Sequence, residues 1–168
     1  MSSSRNNSFA LRRGILIGVL TLGACGFTPV YGPDGSGGKL QNSILFTAPE
    51  TELGFRLRTT LEERLGTVNN SAAIYTVNID LSSNQDTAAV NEEGDITRLD
   101  IRGTARWDIM NADQTYSTGG DVRAITSYSA TSTTVATQAA ERDAIKRLAQ
   151  ILADKIAADL LLTSGSLP

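Results

Sequence analysis

Alternation of apolar and charged residues in the middle of this 168-residue chain constrains the fold more than any other feature. Between about Asp95 and Met110, the odd positions are mostly apolar: Leu99, Ile101, Ala105, Trp107 and Ile109. The even positions are mostly charged: Arg98, Asp100, Arg102, Arg106 and Asp108. Because successive side chains of a strand point to opposite faces of a sheet, the pattern predicts one long strand with a buried face and a solvated face.

Two further stretches alternate in the same way. After a turn predicted at Asn69-Asn70-Ser71, apolar residues recur at every second position: Tyr75, Val77, Ile79 and Leu81. A third strand is predicted from about Tyr116 to Tyr128. Its core side carries Val122, Ala124, Thr126 and Tyr128, and its other side carries Arg123, Ile125 and Ser127. Gly119-Gly120 predicts a bulge or bend in this strand.

A short apolar strand, Ile44-Leu45-Phe46, precedes the first predicted helix. Thr47 is the candidate N-cap, Pro49 suits the first turn, and Glu50 follows the threonine by three residues, as in a capping box. An apolar stripe then recurs every four residues: Leu53, Leu57, Leu61 and Leu65. Gly66 supplies the stop. The pattern predicts an amphipathic helix that docks on a sheet.

The strongest helix pattern extends from about Thr134 to Leu162. Its apolar stripe consists of Ile145, Leu148, Leu152, Ile156 and Leu160, with Ala140, Ala144 and Ala149 alongside. Asp143 and Arg147 are spaced to pair across one turn. The small residues in its N-terminal half would let this helix lie close to a sheet.

The predicted order of elements is β-α-β-β-β-α, which indicates a two-layer α+β domain over residues 41–164. We expect a four-stranded sheet with both helices packed on one face. The other face of the sheet is then open to solvent or to a partner, and function is to be sought there.

Residues 1–24 have the charge and length of a bacterial secretory signal. Three basic residues, Arg5, Arg12 and Arg13, precede an apolar run over residues 15–22. The run ends in Leu22-Gly23-Ala24-Cys25, which resembles a lipobox, so Cys25 is the predicted lipidation site and the first residue of the mature protein. The alternatives are an ordinary signal peptide, or a membrane helix with a chance cysteine. The run is far shorter than the roughly 20 residues that span a bilayer, which disfavours the helix.

Residues 25–40 are rich in glycine and proline and predict a flexible tether between the lipid and the domain. Three acyl chains on Cys25 would hold the protein firmly at a membrane. Gly26 is not the aspartate that retains lipoproteins at the inner membrane in enteric-type sorting, so we expect the outer membrane, on its periplasmic side. The aromatic residues Phe27 and Tyr31 in the tether suggest that this segment contacts a binding partner. Trp107, by contrast, is expected in the core.

Composition excludes several classes of function. Removing the three arginines of the predicted signal from the 15 basic residues leaves 12 against 18 acidic ones, a formal charge of −6. Such a chain does not resemble a general nucleic-acid binder. It contains no histidine and a single cysteine, which excludes Ser-His-Asp and Cys-His catalysis and the usual zinc sites.

No cofactor or metal is therefore predicted. The acidic residues nearest to a cluster, Asp86, Glu92, Glu93 and Asp95, do not have the spacing of a calcium loop and are interpreted as a solvated hairpin loop.

Three arginines, Arg98, Arg102 and Arg106, fall on one face of the longest strand, each about 13 Å from the next at roughly 3.3 Å per residue. Arg123 on the neighbouring strand is a fourth candidate. Two interpretations stand. Interleaved Asp100 and Asp108 favour a salt-bridged exterior, whereas guanidinium groups in a row favour contact with an anionic ligand such as phosphate.

The chain resembles the LptE family of lipopolysaccharide-assembly lipoproteins. The resemblance rests on the opening Cys25-Gly26-Phe27-Thr28-Pro29-Val30-Tyr31-Gly32 and on the order of elements. It rests also on Thr126-Ser127-Tyr128-Ser129, which leads into an alanine-rich helix with Glu141-Arg142-Asp143-Ala144 and Arg147-Leu148. It covers the whole mature chain.

This resemblance implies a protein that plugs and helps to assemble an outer-membrane β-barrel, LptD, and assists lipopolysaccharide transport to the outer leaflet. It also implies, for the arginine row, contact with lipopolysaccharide phosphates. The alternative is a structural or transport-accessory lipoprotein that binds a protein partner without lipid. A lipid-anchored enzyme is a third and weaker possibility, because the nucleophile and metal sets are missing.

Overall fold

Four strands and two helices follow the predicted order in the computed structural model, which describes residues 36–69, 72–130 and 133–167. They are β1 Ile44–Thr47, α1 Glu52–Leu65, β2 Tyr75–Val90, β3 Ile96–Asn111, β4 Ser117–Ser129 and α2 Thr134–Thr163. Short 3-10 turns at Ser36–Lys39 and Ser164–Ser166 flank them. The two-layer α+β fold class is confirmed.

The strands lie in the sheet in chain order, β1-β2-β3-β4. β1 is parallel to β2 and pairs only with its first four residues, Tyr75–Asn78. β2, β3 and β4 are antiparallel, with Ile79 opposite Trp107 and Ala105 opposite Val122. The short β1 therefore leaves most of the outer edge of β2 without a neighbouring strand.

Both helices cover the same face of the sheet, as predicted. The leucine stripe of α1 is buried, and so are Leu148, Leu152, Ile156 and Leu160 of α2. Gly103 of β3 lies directly below α2: a Cβ there would stand 3.0 Å from Leu148 Cδ2 and 3.1 Å from Leu152 Cδ1. The missing side chain lets the leucines of α2 reach the backbone of the sheet.

The N-terminus of α1 differs from the prediction. Thr51, not Thr47, is the N-cap: its Oγ1 accepts a hydrogen bond from the Gly54 N–H at 3.1 Å. The chain makes one more tight turn first, in which the Thr51 N–H donates to the Pro49 C=O at 2.8 Å. The proline therefore belongs to the turn before the helix and not to its first turn. Gly66 ends the helix with φ 87°, as predicted.

The bulge predicted at Gly119-Gly120 is wrong. β3 and β4 pair without interruption from Arg98 opposite Ser129 to Met110 opposite Ser117. Gly120 instead makes room for an indole ring, because a Cβ there would stand 3.3 Å from the Trp107 side chain. The irregular pairing lies in β2, between Thr87 and Val90.

The acidic hairpin loop is shorter than predicted. β2 continues to Val90, so Asp86 lies within a strand, and only residues 91–95 form the turn. The Asn91 side chain closes this turn by accepting a hydrogen bond from the Asp95 N–H at 2.7 Å.

At the other end of the domain, Leu40 is fully buried, so packing begins among residues that composition assigns to the tether. The lipidation site Cys25 and residues 26–35, like Asn70 and Ser71 of the predicted turn, lie outside the described residues.

Candidate binding face of the sheet

The sheet face that points away from both helices, here called the outward face, gathers side chains mainly from β2, β3 and β4. β2 contributes its even positions, from Thr76 to Asp86, and β3 contributes its even positions, from Arg98 to Met110. β4 contributes its odd positions, from Ser117 to Ser129. Within the described part of the chain, no helix packs on this face.

All four predicted arginines lie on the outward face and are exposed. Arg98, Arg102 and Arg106 follow one another along β3, and Arg123 of β4 stands opposite Thr104, between two of them. The sequence prediction that these side chains share one surface is confirmed. What they bind stays a prediction.

Carboxylates interleave with the arginines more closely than the sequence indicated. Arg102 Nε lies 2.9 Å from Asp86 Oδ2, and one Arg123 guanidinium nitrogen lies 3.5 Å from Asp121 Oδ2. Five aspartates share the outward face: Asp80, Asp86, Asp100, Asp108 and Asp121. Three of them come from β2 and β4, so they could be placed beside the arginines only once the strand order and register were known.

Arg98 and Arg106 differ from the other two, because neither makes an ion pair with any residue in the ranges 36–69, 72–130 and 133–167. Arg106 stands between Asp80 and Asp121 in the pairing register and borders an open depression of about 380 Å³. Arg98 borders another, of about 570 Å³, together with Asp100, Ser127 and Ser129. These two guanidinium groups are the ones most available to an anionic ligand.

Comparison with known proteins identifies the family. Residues 41–160 match the family described as LptE: Lipopolysaccharide-assembly. The chain belongs to the LptE family. No curated protein matches it at a significant level.

Solved structures share the LptE-like fold. A predicted lipoprotein from Caulobacter crescentus CB15 superposes with a TM-score of 0.65 at 24% identity, covering 81% of this chain and 100% of that one. The rare lipoprotein B from Shewanella oneidensis gives 0.58 at 14% identity, covering 75% and 97%. Lipoprotein B from Nitrosomonas europaea gives 0.55 at 15% identity, covering 75% and 90%. At these identities the likeness is one of fold.

The two sequence segments that resemble LptE in the body of the domain contact each other. The Thr126 hydroxyl of β4 donates to the Ala144 C=O of α2 at 3.1 Å, and the Arg147 guanidinium donates to the Ser127 C=O at 3.0 Å. The predicted pair of Asp143 with Arg147 is present as well. The residues that carry this part of the resemblance therefore form the contact between α2 and β4, the edge strand of the sheet.

Tyr128 of β4 lies near the same contact between α2 and β4, on the helix side of the sheet. Its hydroxyl accepts a hydrogen bond from the Gln85 side chain at 2.8 Å. Burial raises the pKa of this hydroxyl above its usual value, and the nearby carboxylate of Glu141 adds to the rise, whereas the hydrogen bond from Gln85 lowers it. Trp107 is buried in the core, as predicted.

Within the ranges 36–69, 72–130 and 133–167, neither helix combines the length and the apolar character needed to cross a membrane. The same residues contain no cluster of three carboxylate, histidine or cysteine side chains that would suit a metal ion.

Proposed function

We propose that this LptE-family protein is an outer-membrane lipoprotein that plugs an LptD-type β-barrel, helps to assemble it, and assists the transport of lipopolysaccharide to the outer leaflet. Membership in a lipopolysaccharide-assembly family supports the process. The proposal goes beyond family membership in three respects: the barrel partner, the outer membrane and the lipid anchor at Cys25.

The observation that carries the proposal is the uncovered outward face of the sheet. It presents four arginines and five aspartates, interleaved, and few large apolar side chains. The lumen of a membrane β-barrel is lined by polar residues, which alternate along each strand with the apolar residues that face the lipid. A surface with both charge signs suits such a lumen better than it suits an apolar partner.

Contact with lipopolysaccharide phosphates is the second part of the proposal, and it falls mainly on Arg98 and Arg106. Arg102 and Arg123 already have carboxylate partners at 2.9 and 3.5 Å. A phosphate would have to compete with those partners. Arg98 and Arg106 have no carboxylate within ion-pair distance among the described residues, although Asp80 and Asp121 stand opposite Arg106 in the pairing register.

Capture of lipopolysaccharide by the full-length chain tests this part. We expect the double variant Arg98→Ala/Arg106→Ala to capture less lipopolysaccharide than the wild type and to lose much of the salt dependence, since charge-assisted contacts are screened by ions. Arg142→Ala/Lys146→Ala removes the same charge from an exposed face of α2 and serves as the matched control. An equal loss in both variants would show that only net charge matters.

Normal capture by the Arg98/Arg106 variant would favour the alternative function, a lipoprotein that binds a protein partner without lipid. The excess of aspartates over arginines on the outward face supports that alternative.

Lipidation of Cys25 is tested separately. Mass spectrometry of the mature N-terminus is expected to find acyl chains on this residue. Cys25→Ala is expected to leave an uncleaved or mislocalised precursor, and an unmodified mature N-terminus in the wild type would contradict the anchor.

A further inference from the structure

The outer edge of β2 is open beyond the end of β1. β1 pairs only with Tyr75–Asn78, and the chain then leaves the sheet and turns at Pro49 into α1. β2 itself continues for another twelve residues, to Val90. A strand that continued in line with β1 would find an unoccupied edge.

The backbone groups of this edge are arranged to pair with such a strand. The Tyr75 N–H donates to Ser43 on the β1 side at 3.1 Å, whereas the Ile74 C=O accepts from Ala112 on the β3 side at 3.0 Å. These directions alternate along a strand, and the pairing with β3 is regular from Tyr75 to Thr87. The N–H and C=O groups of residues 81, 83 and 85 therefore point toward the open edge.

The opposite edge of the sheet is protected in a way that the edge of β2 is not. On β4, Lys155 of α2 donates to the Arg123 C=O at 2.8 Å, and Arg147 donates to the Ser127 C=O at 3.0 Å. Natural proteins block exposed edges with charged side chains, prolines or bulges. Residues 81–85 of β2 read Leu-Ser-Ser-Asn-Gln and contain none of these before the irregularity at Thr87.

An apolar cleft of about 410 Å³ lies beside the open edge, between the N-terminus of α1, the sheet and α2. Its apolar lining consists of Pro49, Leu53, Leu81, Ile101, Ile145 and Leu148. Two carboxylates, Glu52 and Glu141, also line it, and no arginine or lysine does among the described residues. Glu52 pairs with Arg56, whereas Glu141 makes no ion pair within those residues.

We propose that this edge and cleft form a binding site for an extended polypeptide segment of a partner protein, which adds to the sheet as a fifth strand beside β2. Main-chain hydrogen bonds to Leu81, Ser83 and Gln85 would supply affinity, and the alternate side chains that enter the cleft would supply specificity. The segment should carry apolar residues at every second position and a lysine or arginine near Glu141. An acidic cleft does not suit a phosphorylated lipid, so this site is separate from the arginines of the outward face and does not rest on the proposed function.

Binding of capped synthetic peptides to the full-length chain in detergent tests the proposal. The probe is a peptide library in which Val, Ile, Leu or Phe occupies alternate positions, with Thr between them and Lys at both ends. We expect members of this library to bind. N-methylation of the alternate amides that face β2 should abolish binding of the best member, because it removes the backbone donors. Exchange of its terminal Lys residues for Glu should weaken binding as well.

Two variants of adjacent serines localise the site. Ser83→Lys places a long charged side chain in the cleft and should weaken binding by about tenfold or more, because the edge and the cleft are both obstructed. Ser82→Lys is the matched control: this side chain lies on the outward face, its backbone groups pair with β3, and binding should not change.

Three outcomes would overturn the proposal. They are a library without any bound member, equal binding of the N-methylated peptide, and equal loss in the Ser82 and Ser83 variants. If no peptide binds, dodecanoate that fills the cleft would make the cleft a lipid site. Lipopolysaccharide capture is expected to be unchanged in Ser83→Lys, so failure here leaves the proposed function untouched.

Discussion

Thr51 is the residue at which a single hydrogen bond decides where α1 begins. Its side chain satisfies the Gly54 N–H, one of the backbone donors that the first turn of a helix leaves without an internal partner. Thr47, the N-cap expected from sequence, is exposed at the end of β1 and makes no such contact.

We therefore expect Thr51→Ala to lower the free energy of unfolding by about 0.5–2 kcal/mol, the usual cost of losing an N-cap. Thr47→Ala should change it by much less. Chemical denaturation of both variants measures the difference, and a larger loss for Thr47→Ala would restore the earlier helix start.

Tyr128 gives the domain a pH dependence of its own. Because its pKa is raised in the folded state above the usual value of 10.0, the unfolded chain loses the hydroxyl proton first as pH rises. The stability that depends on the protonated hydroxyl is complete below about pH 10 and is lost as pH rises through the folded pKa. Tyr128→Phe should flatten this alkaline decline in denaturation curves measured from about pH 9 to about pH 11. The same decline in wild type and variant would contradict the assignment.

At the scale of elements, α2 holds the two layers together. Its buried stripe meets α1, β3 and β4, and Gly103 lets Leu148 and Leu152 approach the sheet backbone. Leu148→Ala and Leu152→Ala should each cost about 2–5 kcal/mol, because a fully buried leucine leaves a cavity when it is truncated. Leu162 on the same helix is 83% exposed, so Leu162→Ala should leave thermal melting nearly unchanged. Equal melting of all three variants would place the stripe on the wrong face.

The elements were predictable where the signal is local. Alternation placed Arg102 and Trp107 on opposite faces, and the leucine spacing marked α1. Each of these patterns lies within one continuous segment of the chain, so it can be identified without knowing which elements pack together. The length of β2 was not predictable. Its residues 82–90 are exposed on both faces and are held by the ladder to β3 rather than by burial. Asp86 meets Arg102 only through that antiparallel register, and sequence periodicity does not encode register.

For the whole molecule, the fold separates two surfaces of different chemistry. The outward face offers arginines interleaved with aspartates, whereas the cleft beside β2 has a mainly apolar lining that includes two carboxylates, Glu52 and Glu141. The two proposed contacts, one with an anionic ligand and one with an extended polypeptide segment, therefore fall on separate surfaces and can be removed one at a time by mutation.

Purification of the tagged, full-length lipoprotein from outer membranes in mild detergent tests the central claim most directly. We expect a large LptD-type β-barrel to co-purify in a constant ratio and to be identified by mass spectrometry. That association should persist in Ser83→Lys and in the Arg98/Arg106 variant, because a plug is held by its whole surface. Recovery of the chain from outer membranes without any β-barrel protein would contradict the account.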